Sequence, residues 1–364
     1  WNYGPEYMQP VFRFVIQDGT ELADGAYTIA MVDNIVGDIA SIKVIGTGSK
    51  KAYLTHADGK LSLVVEGVRG AATIVWSGAE SAIWNYAADH NFLMDGTPTY
   101  FVEGDDVYFT DEAVGGYNVQ IATDLPADTV FVDNSEFTYT MSGAGAISGN
   151  ATLVKTGKSK LVMRTDNTYT GGNRISGGTV SVSSLSNANQ SFGNLGGVTS
   201  QISKFVIENG AILETTAAVQ MGSPIRLETP AGGVISNSAD FVMNRSFSGT
   251  KLTKRGSGWL KTHATGGSLD TMVIAAGTVE NHSGNAAKVV EFQNGTLNEL
   301  VGTSNTMYIP AGRRGTWSTA NRQTYSNKIT GKGTITVYCA TEKGSGWYAT
   351  RTPMRLNTAE FEGT

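Results

Sequence analysis

Apolar side chains recur at every second position along much of this chain, in short runs that stop at glycine, asparagine or aspartate. Thr334-Ile335-Thr336-Val337-Tyr338, Gly178-Thr179-Val180-Ser181-Val182 and the run from Phe205 to Leu213, which has Asn209-Gly210 in its middle, are of this kind. Side chains of a strand point alternately to its two faces, so a period of two rich in Thr, Val and Ile predicts strands with one buried face. No long segment carries helical periodicity, and the polar stretch Ser183 to Phe192 reads as a loop. The chain is expected to be all-β.

The pattern repeats. Leu153, Lys155, Gly157, Leu161, Ile175, Gly178, Thr179 and Val180 return as Leu252, Lys254, Gly256, Leu260, Ile274, Gly277, Thr278 and Val279, each 99 positions later and without a gap. The order of elements continues beyond this window while the spacing varies. Asn209-Gly210 corresponds to Asn294-Gly295, and Pro230-Ala231-Gly232 to Pro310-Ala311-Gly312. Met141 to Ile147 opens the first cassette, and Ile329 to Ile335 looks like the opening of a third. Repeats of tens of residues indicate stacked supersecondary units, with length changes absorbed at surface turns.

Glycine spread through the chain as Gly-x-Gly and Gly-Gly suits a right-handed parallel β-helix better than a sandwich built from tight hairpins. Coils of roughly 20–25 residues would place four or five of them in each repeat. Leu153, Val154 or Leu161 with Leu252 and Leu260, and Ile175 with Ile274, are expected to point into the core at equivalent positions. Gly157, Gly178, Asn209, Gly210, Gly256, Gly277, Asn294 and Gly295 are the expected structural turns. Three regions follow: a strand-rich piece over 1–72 that resembles the closing coils of a preceding array, a connector block over 73–111, and the β-helix over 112–364. Its cassettes lie near 141–246, 247–326 and 327–364.

The segment from Ser142 to Val182 resembles the passenger-associated repeat of bacterial autotransporter proteins. Asn167-Thr168-Tyr169-Thr170-Gly171-Gly172 stands as in that pattern, as do Ile175 and Gly177-Gly178-Thr179-Val180. Asn173 departs from it, since threonine is usual there, and the second cassette has only Ala264-Thr265-Gly266-Gly267 where the Asn-Thr-Tyr element would fall. Upstream, Trp76-Ser77-Gly78, Trp84-Asn85, Asn91-Phe92 and the stretch Glu103 to Asp111 resemble the block that opens such arrays. The resemblance implies a β-helical stalk or adhesin-type module on the outer surface of a bacterium or in its surroundings. Its implied partners are further repeats of the same protein, and glycans or host surface proteins. The absence of a basic-apolar leader before Trp1 suggests a mature segment or a stretch of a larger protein.

Composition supports this reading and removes alternatives. Glycine makes up 45 of 364 residues, against a usual ~7%, and charged residues only 16%. A net charge of −5 argues against nucleic acid as a partner, and no apolar run is long enough to span a membrane. The single cysteine, Cys339, excludes an internal disulfide. His56, His90, His263 and His282 stand at no metal-ligand spacing. The acidic cluster around Asp105 and Asp106 is the one candidate for calcium, but alternation sends its carboxylates to different faces. No cofactor is otherwise expected.

Parallel β-helices also carry polysaccharide lyases and glycosidases, which need paired carboxylates or a cation with an Arg or Lys base. Arg313 and Arg314 lack a matching acidic pair, so an enzyme is the lesser reading. Exposed aromatics stack on sugars, which makes Trp317, Tyr325 and Trp347, with Arg313 and Arg314, the candidate glycan contacts; packing in the coil corners is the alternative use of the same rings. A third reading, a subunit of an extracellular fibre, rests on the unpaired strand edges that a β-helix leaves at its ends.

Overall fold

The computed structural model describes residues 11–13, 24–39, 42–45, 50–186, 192–197, 204–222, 226–244, 247–263, 268–282, 287–299, 303–320, 326–340 and 357–361. It is all-β, a solenoid of about ten coils whose strands stack in parallel. Stacking begins at Thr73–Trp76, which pairs with Asp106–Thr110, so the parallel array extends back through the block over 73–111.

The coils are built on three main sheets. The first runs through Asp106–Thr110, Thr129–Asp133, Thr152–Thr156, Gly172–Ile175, Lys204–Ile207 and Arg226–Thr229. The second runs through Asn118–Ile121, Tyr139–Ser142, Lys160–Met163, Thr179–Val182, Ile212–Thr215 and Gly233–Asn237. The third is longest in the later coils, through Phe241–Met243, Trp259–Thr262, Thr278–Asn281, Thr296–Glu299, Arg314–Ala320 and Thr334–Ala340. Phe247–Arg255 and Ser268–Ile274 cross a corner without a break and belong to both the first and second sheets.

Coil length varies with what the corners carry. Thr129 pairs with Thr152, a step of 23 residues, whereas Asn173 pairs with Phe205 across the inserted segment after Val182. Val289 pairs with Thr306 at a step of 17, where the later coils run between the second and third sheets alone. The core is a set of inward ladders. Leu161, Val180, Leu213 and Ile235 stack in one, and Phe241, Leu260, Val279, Leu297, Trp317 and Val337 in another.

The end at Thr73 is closed. Trp76, Trp84, Phe92, Phe101 and Phe109 fill the first coil, with ring centroids 5.2 Å apart for Trp76 and Phe92 and 5.4 Å for Trp84 and Phe101. Phe92–Met94 and Thr97–Thr99 form an antiparallel hairpin that pairs with Thr73–Trp76. Such a plug covers a strand edge that would otherwise recruit another chain.

Upstream, the expectation of closing coils is corrected. Gly25–Met31, Lys60–Glu66 and Lys51–Ala57 make an antiparallel sheet with its own small core of Leu54, Leu63 and Val65. The physical reason is the turn Asp58-Gly59, with φ of 52° and 68°, which is the two-residue turn that joins antiparallel neighbours.

Candidate functional site

The corners hold the most regular chemistry. In the repeat, Lys155 and Lys254 point inward, fully buried, at ladder positions where their neighbours are Val132 and Ile175, and Ile235 and Ile274. Each ammonium turns to the carbonyls of its own corner. Lys254 donates to the oxygens of Arg255 (2.7 Å) and Gly256 (2.8 Å) and to Ala276 of the next coil (3.3 Å). Lys155 donates to Thr156 and to Gly157. Burial pushes both ammonium groups down to about 8; Asp133 and Asp111 partly oppose this at Lys155.

One coil earlier stand Asn134 and Asn237, both buried. Asn134 donates to the carbonyls of Phe137 and Lys160, and Asn237 to those of Ala239 and Trp259. The turn glycines complete the column. Gly157, Gly178, Gly256 and Gly277 have φ of 65°, 61°, 77° and 67°. A Cβ at Gly178 would sit 2.2 Å from the carbonyl oxygen of Ser159, and one at Gly277 would sit 2.4 Å from that of Gly256. Asn209 and Gly210 also take positive φ, at 56° and 76°. Gly295 serves space instead, since its Cβ would meet the Ile274 side chain at 2.2 Å, and Asn294 before it is exposed.

Asp105 and Asp111 of the acidic cluster have found partners within the protein. Asp105 is buried and receives both its cation and its donors from the protein. Arg69 grips it with two N–H groups at 2.7 and 2.8 Å, and the amides of Ala72 and Val102 complete the shell. The Arg69 guanidinium also donates to the Tyr100 carbonyl and the Thr99 hydroxyl. The cation at Asp105 is therefore an arginine. Asp106 faces outward between Thr73 and Thr129. Asp111 accepts the amides of Ser135, Glu136 and Phe137, which hold its carboxyl below the usual range against a raising effect of burial. Among the described residues no three His, Cys, Asp or Glu side chains converge as a metal ion requires.

The Asn-Thr-Tyr element works as a clasp. Buried Asn167 accepts the amide of Ile147 and donates to the carbonyls of Thr165 and Asn194. Tyr169 donates to Asn173 at 2.6 Å, and Asn173 donates to Leu195. The departure at Asn173 thus ties down the inserted segment that lengthens this coil.

Among the described residues, Glu299 is the carboxyl pushed furthest from its ordinary value. It lies wholly inside the third sheet, where its side chain accepts the hydroxyl of Thr303 (2.8 Å), the indole N–H of Trp317 (2.8 Å) and the amide of Asn305 (3.4 Å). Burial pushes it up to about 7 despite these donors. It is a core group, 0% exposed.

The candidate glycan contacts separate. Trp317 is 0% exposed and stacks between Leu297 and Val337, so the expectation of an exposed ring there is corrected: alternation with Thr316 and Ser318 turns it inward. Arg313 and Arg314 are exposed, Arg313 at a corner and Arg314 as the first residue of the Arg314–Ala320 strand. Tyr325 and Trp347, like the side chain of Cys339, lie outside the described residues. Other rings are on the surface: Trp259 and Tyr338 on the third sheet, Tyr308 on the second.

The outer face of the third sheet carries two rows in register. One is Trp259, Thr278, Thr296, Thr316 and Thr336; the other is Lys261, Glu280, Asn298, Ser318 and Tyr338. Lys261 pairs with Asp240 at 2.7 Å and lies 5.6 Å from the centre of the Trp259 ring. Glu280 meets His282 at 2.5 Å and accepts from Asn298 at 2.9 Å. His282 stacks on His263, with centroids 4.1 Å apart; burial and then the neighbouring ring lower the proton affinity of His263. Sequence spacing hid this pair because the two histidines meet only through coil stacking.

Residues 153–182 match the passenger-associated-transport-repeat family model. No curated protein and no solved structure matches the chain. The matched segment holds the buried lysine, the Asn-Thr-Tyr clasp and the corner glycines described above, within the stacked coils. This is a repeat of autotransporter-passenger type in a β-solenoid.

Proposed function

We propose that this chain is a stalk that displays an extended surface on a larger bacterial protein exported to the cell surface or the medium. The observation that carries the reading is the passenger-type repeat set within one uninterrupted stack of parallel coils. About ten coils at the ordinary strand spacing give a rod of roughly 50 Å. The aromatic plug around Trp84 and Phe101 favours a stack that continues in one direction over a fibre joined at both ends.

Several carboxylates sit in ion pairs: exposed or half-buried Glu214 with Lys160 and Asp270 with Lys288, and buried Glu208 with Arg174. The carboxyl with the raised proton affinity is sealed in the core. Both features favour a scaffold over a polysaccharide-cleaving enzyme. Protease treatment of intact source cells, followed by antibody detection, tests the reading. Shaving of the chain from whole cells, or its recovery from the medium, is the expected result; a chain protected until lysis overturns it.

A further inference from the structure

We propose that the outer face of the third sheet, from Trp259 to Tyr338, binds a neutral linear polysaccharide laid along the solenoid axis. Four coil steps separate the two rings, about 19 Å at ordinary strand spacing. Trp259 is 39% exposed and Tyr338 58%, and they stand at opposite ends of adjacent rows. Between them the sheet offers hydroxyls and an amide, from Thr278, Thr296, Thr316, Ser318 and Asn298, all partly exposed. Rings stack on the apolar faces of sugars, while hydroxyls and amides exchange hydrogen bonds with their edges.

The charge on this face selects the class of ligand. Lys261 is matched by Asp240, and the carboxylate of Glu280, hydrogen-bonded with His282 and Asn298, stands on the same outer face as the guanidinium of Arg314, so the two signs balance along the strip and it offers no excess of positive charge to an acidic polymer. Arg313 lies at the corner, while exposed Arg314, paired with Thr334, opens the strand and faces outward beside the row of Thr316. A protein partner would want a contiguous apolar patch at the centre of its footprint. Here the centre is threonine, serine and asparagine, and the apolar groups are confined to the ends. The repeat of the coil sets a regular grid of donors and acceptors that suits a ligand with its own repeat.

The test is titration calorimetry of the whole chain against linear glucan, mannan, xylan and chitin oligosaccharides, with alginate and polygalacturonate as acidic probes. At least one neutral class should bind, and both acidic polymers should bind more weakly. Trp259→Ala and Tyr338→Ala should each weaken binding about ten-fold, the loss of one stacking partner. Thr316→Glu, an outward change in mid-strip, should do the same for an unaltered melting profile. Tyr308→Ala, on the second sheet, should leave affinity unchanged. Absence of binding by every neutral oligosaccharide at millimolar concentration overturns the proposal. So does affinity indifferent to the Trp259, Tyr338 and Thr316 changes, preference for an acidic polymer, or a dimer that these changes convert to monomer. Each of these outcomes is independent of whether the chain is displayed on cells.

Discussion

Leu153 stacks between Val130 and Asn173 in the first sheet, whereas Leu252, its counterpart in the repeat, stacks between Gly233 and Met272 in the second. Both point inward, but on adjacent faces of the solenoid. The whole cassette is rotated with them. The corner of Asn134, Gly157 and Gly178 joins the first sheet to the second, while that of Asn237, Gly256 and Gly277 joins the second to the third. The later column continues through Gly295, Gly312 and Gly331, as the earlier one does through Gly210, Gly232 and Gly249. A corner depends on its own carbonyls and on the coils directly above and below, so it serves at any edge of the stack.

This rotation predicts a tolerated deletion. Removing residues 153–251 joins Thr152 directly to Leu252 and brings Lys254 and Gly256 beneath Asn134. The shortened chain should keep a β-type circular dichroism spectrum and cooperative unfolding, with a rod about four coils shorter in small-angle scattering. Removing 153–241 instead breaks the phase of the cassette and should leave the chain aggregated or unfolded. If the two deletions behave alike, the corners are not interchangeable.

The buried lysines predict a rise in stability with alkali. Their ammonium groups titrate at about 8 in the fold, against 10.5 for an ordinary lysine. The folded state holds fewer protons between those values, so the lysines' stabilising contribution is present above the unfolded value and is lost as pH falls through about 8. Urea unfolding should show a gain of about 2 kcal/mol per lysine between pH 7.5 and 9.5. The window ends near pH 10, because burial raises Tyr139 and Tyr169 and reverses the slope beyond it. Lys155→Met with Lys254→Met should flatten the profile; an unchanged slope in the double variant refutes the assignment.

Much of this architecture was legible because alternation and corner glycines are local signals. Val180, Leu213 and Val279 could be assigned inward from their neighbours alone. The lysines could not, since a pattern of apolar residues has no place for a buried ammonium, although Lys155 and Lys254 were among the repeated residues. Trp317 was readable from Thr316 and Ser318 on either side. The Asp58-Gly59 turn carried a hairpin signal between alternating strands. By contrast, the pairing of Arg69 with Asp105 is set by how the first coil folds across a separation of 36 positions. The face occupied by each cassette depends on summed coil lengths, which insertions such as that after Val182 alter.

Glu299 has the opposite pH dependence to the lysines. Its folded value near 7 lies above the 4.5 of a free glutamate, so its favourable contribution is complete below the unfolded value and is lost as pH rises through 7. The loss should reach about 3 kcal/mol at pH 8 to 9. Glu299→Gln keeps an oxygen for the Trp317 N–H and removes the charge. The variant should be more stable than the parent at pH 8 and no more stable at pH 4, by urea titration at both. Equal differences at the two values would show that Glu299 does not titrate in the core.

Gly178 tests how far damage travels. Its φ of 61° and the carbonyl 2.2 Å from a would-be Cβ leave no room for a side chain without shifting the Ser159 coil. Gly178→Val should cost roughly 1–3 kcal/mol or more, from strained backbone plus displaced neighbours. Coils touch only adjacent coils, so the cost should remain local. Amide exchange should quicken in Lys160–Met163 and Ile212–Thr215, which pair with the Thr179–Val182 strand beside it. Exchange in Thr296–Glu299, several coils away, should stay slow. The lysine column gives an internal comparison: Gly277→Val crowds the Gly256 carbonyl and Lys254 Nζ in the same manner, and should move the disturbance to Trp259–Thr262 and Thr296–Glu299. Unchanged exchange in either variant would count against a corner demand, and loss of protection along the whole stack would count against coil-by-coil stability.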